Sequence, residues 1–249
     1  MRKKSTLATV LCGLLSIHCY AQPPTPEGQW RGSLTAGLSG ASGNTNSLSF
    51  NIGADAVKAT PTDKWSLYLT ALYGTKDDKG DRTKTANQAR SGARYDYNLT
   101  EKTFVFSALD LDRDKLQLLD LRSVVGTGFG THVIKTLDTT FDLFGGVSYN
   151  HERFTTETRD SIELLFGEES WHKLSETTSF KHRLVVYPNL RDRGELRVVF
   201  DATLVTALSN RINLQITLSD RYVSNPQPGI KSNDLLFITG INVKFGPKN

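Results

Sequence analysis

The sequence predicts an all-β chain that closes into an antiparallel, up-and-down transmembrane β-barrel of about twelve strands, preceded by a cleaved signal peptide. One observation is alternation: Leu48, Phe50 and Ile52 illustrate apolar residues at every second position. Such a period gives a strand one apolar and one polar face. The other observation is a short polar turn that recurs about every 34–38 residues, as expected when hairpins repeat.

The repeated turn is represented by Leu-Thr-Glu-Lys-Thr-Phe at residues 99–104. Related turns occupy residues 60–65, 137–141, 174–178 and 208–212. Each lies between two alternating stretches, so each predicts the turn of a β-hairpin. The opposite connections are then expected at residues 42–46, 75–84, 113–119, 151–160, 188–194 and 224–233.

The least regular predicted strand covers residues 162–174. Ile162, Leu164 and Phe166 give it an apolar face, but Glu168 interrupts that face and Glu169 the other. If all repeated turns share one end of the hairpins, a strand must nevertheless run down to Leu174. Without it the count falls to eleven, and the two termini no longer share a side.

The N-terminus predicts export. Arg2, Lys3 and Lys4 precede the mostly apolar residues 7–17, and cleavage is expected after Ala21. We therefore expect a signal peptide at 1–21, a proline-rich linker at 22–29 and a barrel domain at 30–246. The expected location is the cell outer membrane.

Cleavage would change the bulk properties of the chain. The formal charge of +4 includes three cations and no acid from residues 1–21, so the mature chain is near +1. The basic isoelectric point is therefore no argument for nucleic-acid binding. Cys12 and Cys19 would also be removed, which excludes disulfides, thiolate metal sites and cysteine nucleophiles from the mature chain.

The polar faces favour a membrane barrel over a soluble sandwich, because they mix charged and small residues as the lumen of a narrow barrel does. The candidate lumen-lining residues are Asp55, Arg90, Arg94, Asp96, Arg122 and Asp201. They could set the ion selectivity of a water-filled pore, or form a lattice of ion pairs that blocks it. Aromatic residues near strand ends indicate interfacial girdles, at Trp30, Trp65, Tyr95, Tyr97, Phe104, Phe141, Tyr187, Tyr222 and Phe245.

Catalytic and cofactor motifs are not found. The glycines at 126, 128 and 130 lack the helix and spacing of a nucleotide loop, and they more simply make room inside a barrel. The mature histidines His132, His151, His172 and His182 show no metal-ligand spacing. No GxSxG sequence supports a barrel hydrolase, which stays the least favoured alternative. We expect no enzyme activity, no cofactor and no metal site.

Several short motifs, in this order along the chain, resemble a bacterial family of salt-induced outer-membrane proteins built on a domain of unknown function. They are Trp-Arg-Gly at 30–32, Gly-Asn-Thr at 43–45, Asp-Arg at 112–113, Asp-Leu-Arg at 120–122, the glycine-rich residues 126–130, Tyr-Pro-Asn-Leu at 187–190, Arg-Tyr at 221–222 and Pro-Gln-Pro-Gly at 226–229. The resemblance implies an outer-membrane barrel with an envelope-structural or stress-related role, and no known catalytic residues.

The alternative function is a small passive channel lined by Arg and Asp. In either case we expect a monomer that contacts outer-membrane lipid, lipopolysaccharide and the barrel-assembly machinery, and that does not bind nucleic acid.

Overall fold

The computed structural model of the chain describes residues 28–41, 46–78 and 81–247. The predicted signal peptide and most of the linker lie outside these residues. Within them the chain forms twelve strands and one short 3-10 helix. The strands are β1 Arg31–Ala41, β2 Asn46–Ala59, β3 Asp63–Asp78, β4 Asp81–Asn98, β5 Thr103–Asp114, β6 Leu119–Lys135, β7 Thr139–Phe154, β8 Thr158–Lys173, β9 Thr178–Pro188, β10 Leu196–Ala207, β11 Ile212–Val223 and β12 Asn233–Phe245.

The twelve strands form one closed antiparallel barrel. Each strand pairs with its neighbours in sequence, and β1 pairs with β12 from Gly32 opposite Phe245 to Ala36 opposite Ile241. Closure means that neither β1 nor β12 is a free edge strand, because five residues of each pair with the other. The predicted architecture and strand number are confirmed, and the irregular stretch after residue 158 is strand β8, paired on both sides.

The repeated polar turns lie at the rim that also carries both ends of the barrel, which we call the terminal rim. Their hydroxyl groups explain the repeat. The Thr100 Oγ1 atom accepts hydrogen bonds from the amides of Lys102 and Thr103, at 3.2 and 3.0 Å. Ser175 and Ser209 do the same in later turns. A hydroxyl at this position closes the turn, because it accepts hydrogen bonds from backbone amides that have no partner in the neighbouring strand.

The opposite rim, which we call the loop rim, differs from the sequence prediction. β3 ends only at Asp78 and β4 already begins at Asp81, so most of the loop expected at residues 75–84 is strand. The loop expected at 151–160 shrinks to residues 155–157. The strands continue through these polar segments because ladder hydrogen bonds need no apolar face. The longest described loop, residues 224–232, folds back over the opening.

Apolar side chains cover the outer wall of the barrel. Leu34, Phe129 and Leu235 are examples, with 58%, 69% and 66% of their surface exposed. Trp65 and Tyr95 pack against each other on this wall near the terminal rim, with ring centroids 4.8 Å apart and ring planes tilted by 41°, as expected of an interfacial girdle. The described residues include no helix long and apolar enough to cross a membrane.

Two predicted girdle aromatics lie inside the barrel instead. Phe104 and Tyr187 are 2% and 5% exposed and belong to an apolar cluster on the interior wall. Their position follows from strand parity, because Phe104 shares a face with Asp112 and Tyr187 shares one with Arg183. The other members are Phe106, Val124, Phe144, Leu165 and Val185.

Candidate functional site in the barrel interior

The candidate site is the interior wall. Strand parity places all six residues singled out from the sequence on that wall. Asp55 accepts a hydrogen bond from the Ser33 hydroxyl at 2.5 Å. Asp201 accepts two from the Arg221 guanidinium, both at 2.8 Å. The other four residues divide between two separate ion-pair groups.

One group forms a chain of alternating charge along β4 to β7. Arg90 pairs with Asp112 at 3.2 Å, Asp112 also pairs with Arg122 at 3.3 Å, and Arg122 pairs with Glu152 at 2.6 Å. The Arg122 side chain is 8% exposed, so its two carboxylate partners provide most of its environment. This chain connects four neighbouring strands across the interior wall.

The second group lies nearer the terminal rim. Asp96 accepts from Arg94 at 2.7 Å and pairs with Lys64 at 3.4 Å. The Arg94 guanidinium also lies 4.5 and 4.6 Å from the ring centroids of Phe106 and Phe144. A planar cation packs favourably on aromatic faces. Arg94 thus joins the ion pairs to the apolar cluster.

The sequence prediction missed several interior charge partners, which are Lys64, Asp112, Glu152, Glu163, Glu169, Arg183, Arg197 and Arg221. Glu163 and Arg197 form an ion pair of 2.8 Å, and Glu169 lies on the same face of β8. The signal was available in the alternation of β8, where Glu163, Leu165 and Glu169 share one parity. Arg197 lies at the start of β10, too close to a loop for alternation to be visible.

The barrel interior retains solvent-accessible charge, near the terminal rim at Lys64 and Glu169 and farther in at Asp201. The side chains of Lys64, Glu169 and Asp201 are 33%, 43% and 34% exposed, and all three face inward. Tyr68 extends across Gly92 to donate a hydrogen bond to Asp110 at 2.6 Å. Inward side chains of both signs therefore border space that water can enter.

The loop of residues 224–232 covers part of the loop rim. Gln227 is 4% exposed and donates a hydrogen bond to Glu157 at 2.7 Å. Arg159 donates to the Asn225 carbonyl oxygen at 3.1 Å, and Asn225 donates to Glu195 at 2.5 Å. Arg159 also donates a hydrogen bond to Glu157 at 2.7 Å. The bonds that Glu157 accepts, from Gln227 first and then from Arg159, hold its pKa below the usual range. The loop is thus held by hydrogen bonds rather than by apolar packing.

The glycines of β6 make room, as expected. The Phe104 ring lies so close to Gly130 that a Cβ there would be 2.1 Å from it, and Gly128 faces the backbone of Gly145 at a similar distance. Among the histidines, His132 faces inward and bonds Asp142 at 2.7 Å, whereas His151 pairs with Asp160 at the loop rim.

His182 belongs to a polar group on the outer wall that the sequence did not predict. Its Nδ1 atom lies 2.8 Å from the Ser170 hydroxyl and its Nε2 atom 3.2 Å from the Glu168 carboxylate. Ser170 is only 2% exposed and its backbone belongs to the ladder, so this arrangement has neither an accessible nucleophile nor a free amide to stabilise an oxyanion. In the described residues no group of three or more His, Asp or Glu could hold a metal ion.

An apolar outer wall, an interior that carries most of the charged side chains beside one apolar cluster, and closure of the sheet define a transmembrane β-barrel of the outer-membrane type. The particular family follows from the sequence itself. Residues 34–245 match the family described as "Protein of unknown function, DUF481", and the chain belongs to that family. The comparison gives no support for the adjective salt-induced.

The fold is similar to that of several solved structures. An outer membrane channel from Pseudomonas putida F1 is 15% identical with a TM-score of 0.50, covering 92% of this chain and 98% of that chain. The translocator domain of autotransporter NalP from Neisseria meningitidis is 12% identical with a TM-score of 0.45, covering 89% of each. The NanC porin is 8% identical with a TM-score of 0.44, covering 86% and 96%. No curated protein matches this chain.

Proposed function

We propose that this protein is a narrow passive diffusion channel for small hydrophilic solutes in the bacterial outer membrane, with its terminal rim in the periplasm. The observation that carries the proposal is the solvent-accessible charge inside the barrel, on Lys64, Glu169 and Asp201. Inward charges that water can reach are able to line a path for small hydrophilic solutes, beside the part of the interior that the apolar cluster fills. The channel from Pseudomonas putida F1 supports the proposal as a protein of the same fold.

Both charge signs face the lumen, so neither cations nor anions are excluded by a uniform ring of charge. Tyr68 and the interior ion pairs occupy part of the lumen and would restrict the path to small solutes. The orientation is supported by the short repeated turns at the terminal rim and the longer loop at the other, since outer-membrane barrels have short periplasmic turns and longer extracellular loops.

Planar-bilayer recording of the purified barrel tests the proposal. We expect small, steady conductance steps, and a shift toward anion permeability in Glu169→Lys. Arg94 is a poorer probe, because its packing on the phenylalanine rings couples any substitution to stability. The matched control is Glu101→Lys, which makes the same charge change in an exposed turn.

Absence of conductance in a correctly folded preparation would contradict the channel. It would leave the envelope-structural or stress-related role, which the resemblance to salt-induced proteins motivates. That role predicts an effect of gene deletion on growth at high salt.

A further inference from the structure

We propose that a groove on the outer wall binds lipopolysaccharide through its lipid A part, with one acyl chain in the groove and a phosphate on Arg113. The groove has a volume of about 190 Å³ and lies across β2 to β5. This inference rests on the orientation proposed above but not on conductance.

The shape of the groove follows from residue size. Ala71 and Ala89 are paired neighbours on β3 and β4, and their methyl groups form a low floor. Phe50, Ile52 and Tyr73 stand beside that floor, each 44–47% exposed. Asn87 and Gln88 complete the lining, and the apolar part of the depression fits a hydrocarbon chain, which contributes van der Waals contact along its length.

The polar end of the groove is Arg113, which pairs in register with Ala89. Arg113 is exposed, and no described residue forms a hydrogen bond or ion pair with it. The nearby carboxylate of Asp120 is already bonded to Lys115. A guanidinium on the lipid-facing wall that forms no direct bond to the nearby Asp120 carboxylate can bind a phosphate through two parallel hydrogen bonds.

The height of Arg113 places this cation at a headgroup. It lies ten residues above Thr103, where β5 leaves the terminal rim. At the rise and tilt of a barrel strand this corresponds to roughly 25 Å, which is about the height of the apolar band. Arg113 and the Tyr73 hydroxyl therefore reach the outer boundary of the hydrocarbon, and the alanine floor, which shares a ladder row with Arg113, begins just below that boundary.

The occupant follows from the side of the membrane. With the terminal rim in the periplasm, Arg113 lies in the outer leaflet. The outer-leaflet lipid of a bacterial outer membrane is lipopolysaccharide, whose lipid A combines several acyl chains with phosphates. The groove thus offers a surface for an acyl chain and, toward the headgroup, a cation for the phosphate of the same lipid.

Native mass spectrometry of the full barrel in detergent, titrated with hexa-acylated lipid A, tests the site. We expect Arg113→Ala to weaken binding about five-fold, the usual effect of one cation at a membrane surface. Ala89→Phe, which fills the groove, should weaken binding as well. Lys231→Ala, which removes an exposed cation elsewhere on the loop rim, should bind like the unaltered protein.

Equal binding by Arg113→Ala and the unaltered barrel would overturn the proposal, even if Ala89→Phe failed to fold. Equal binding of dephosphorylated lipid A would overturn the phosphate contact, and equal competition by phosphatidylglycerol would overturn the choice of lipopolysaccharide. Surface labelling of a Lys231→Cys variant on intact cells tests the orientation separately. The mature chain otherwise has no cysteine.

Discussion

Glu168 and His182 face the lipid together, with the carboxylate 3.2 Å from the Nε2 atom of the ring. They lie on the outer wall of β8 and β9, one residue pair above the aromatic ring of Phe180. Ionisable side chains on a lipid-facing wall are costly unless they are paired. The pair therefore explains how β8 tolerates the charge that made it the least regular predicted strand.

Replacement of His182 by leucine should destabilise the folded barrel by about 1–3 kcal/mol, because Glu168 loses its main partner in an apolar environment. The double variant Glu168→Leu with His182→Leu should regain most of that loss. Equilibrium urea unfolding in lipid vesicles measures both. Unchanged stability of the single variant would show that Glu168 is solvated from the terminal rim.

Gly92 should not tolerate even a methyl group. A Cβ there would lie 2.3 Å from the Tyr68 ring and 2.7 Å from the Asp110 carboxylate. Gly92→Ala should displace Tyr68 and cost about 1–3 kcal/mol in unfolding free energy. The control is Gly126→Ala, where the nearest atoms lie at an ordinary 3.4 Å. Equal stability of the two variants, measured by urea unfolding, would contradict the packing described.

Arg122 should be the most costly interior cation to remove. Arg122→Ala leaves Asp112 and Glu152 without the guanidinium between them, at a cost of about 3 kcal/mol. Lys173→Ala is the contrasting change, because its partner Glu176 is 91% exposed and such pairs contribute about 0–1 kcal/mol. If Arg122→Ala lowered the unfolding free energy as little as Lys173→Ala, water would readily replace the interior ion pairs.

The contact between Glu157 and the loop of residues 224–232 should depend on pH. Gln227 and Arg159 lower the pKa of Glu157 by bonding its ionised form. Docking is therefore fully stabilised above the ordinary glutamate pKa of about 4.3 and weakens as the pH falls through the lowered pKa. A fluorescent dye on Lys231→Cys should report this change. Glu157→Gln should remove the acid transition, and an identical transition in that variant would refute the assignment.

The sequence by itself determined the architecture, because period-two alternation and the repeated hydroxyl turns are local properties of the chain. Leu99 to Thr103 close the same turn in the structure that their repetition indicates in the sequence. Alternation was also sufficient to place Asp55, Arg90 and Asp201 on one face of their strands.

Tertiary structure decided everything that depends on which strands meet across the barrel. The stacking of Arg94 on Phe106 and Phe144 joins residues from three strands, and no spacing along the chain encodes it. Phe104 was misplaced because an aromatic residue near a strand end suits either a girdle or an interior cluster. Only closure and register, which fix the inward parity of each strand, distinguish the two.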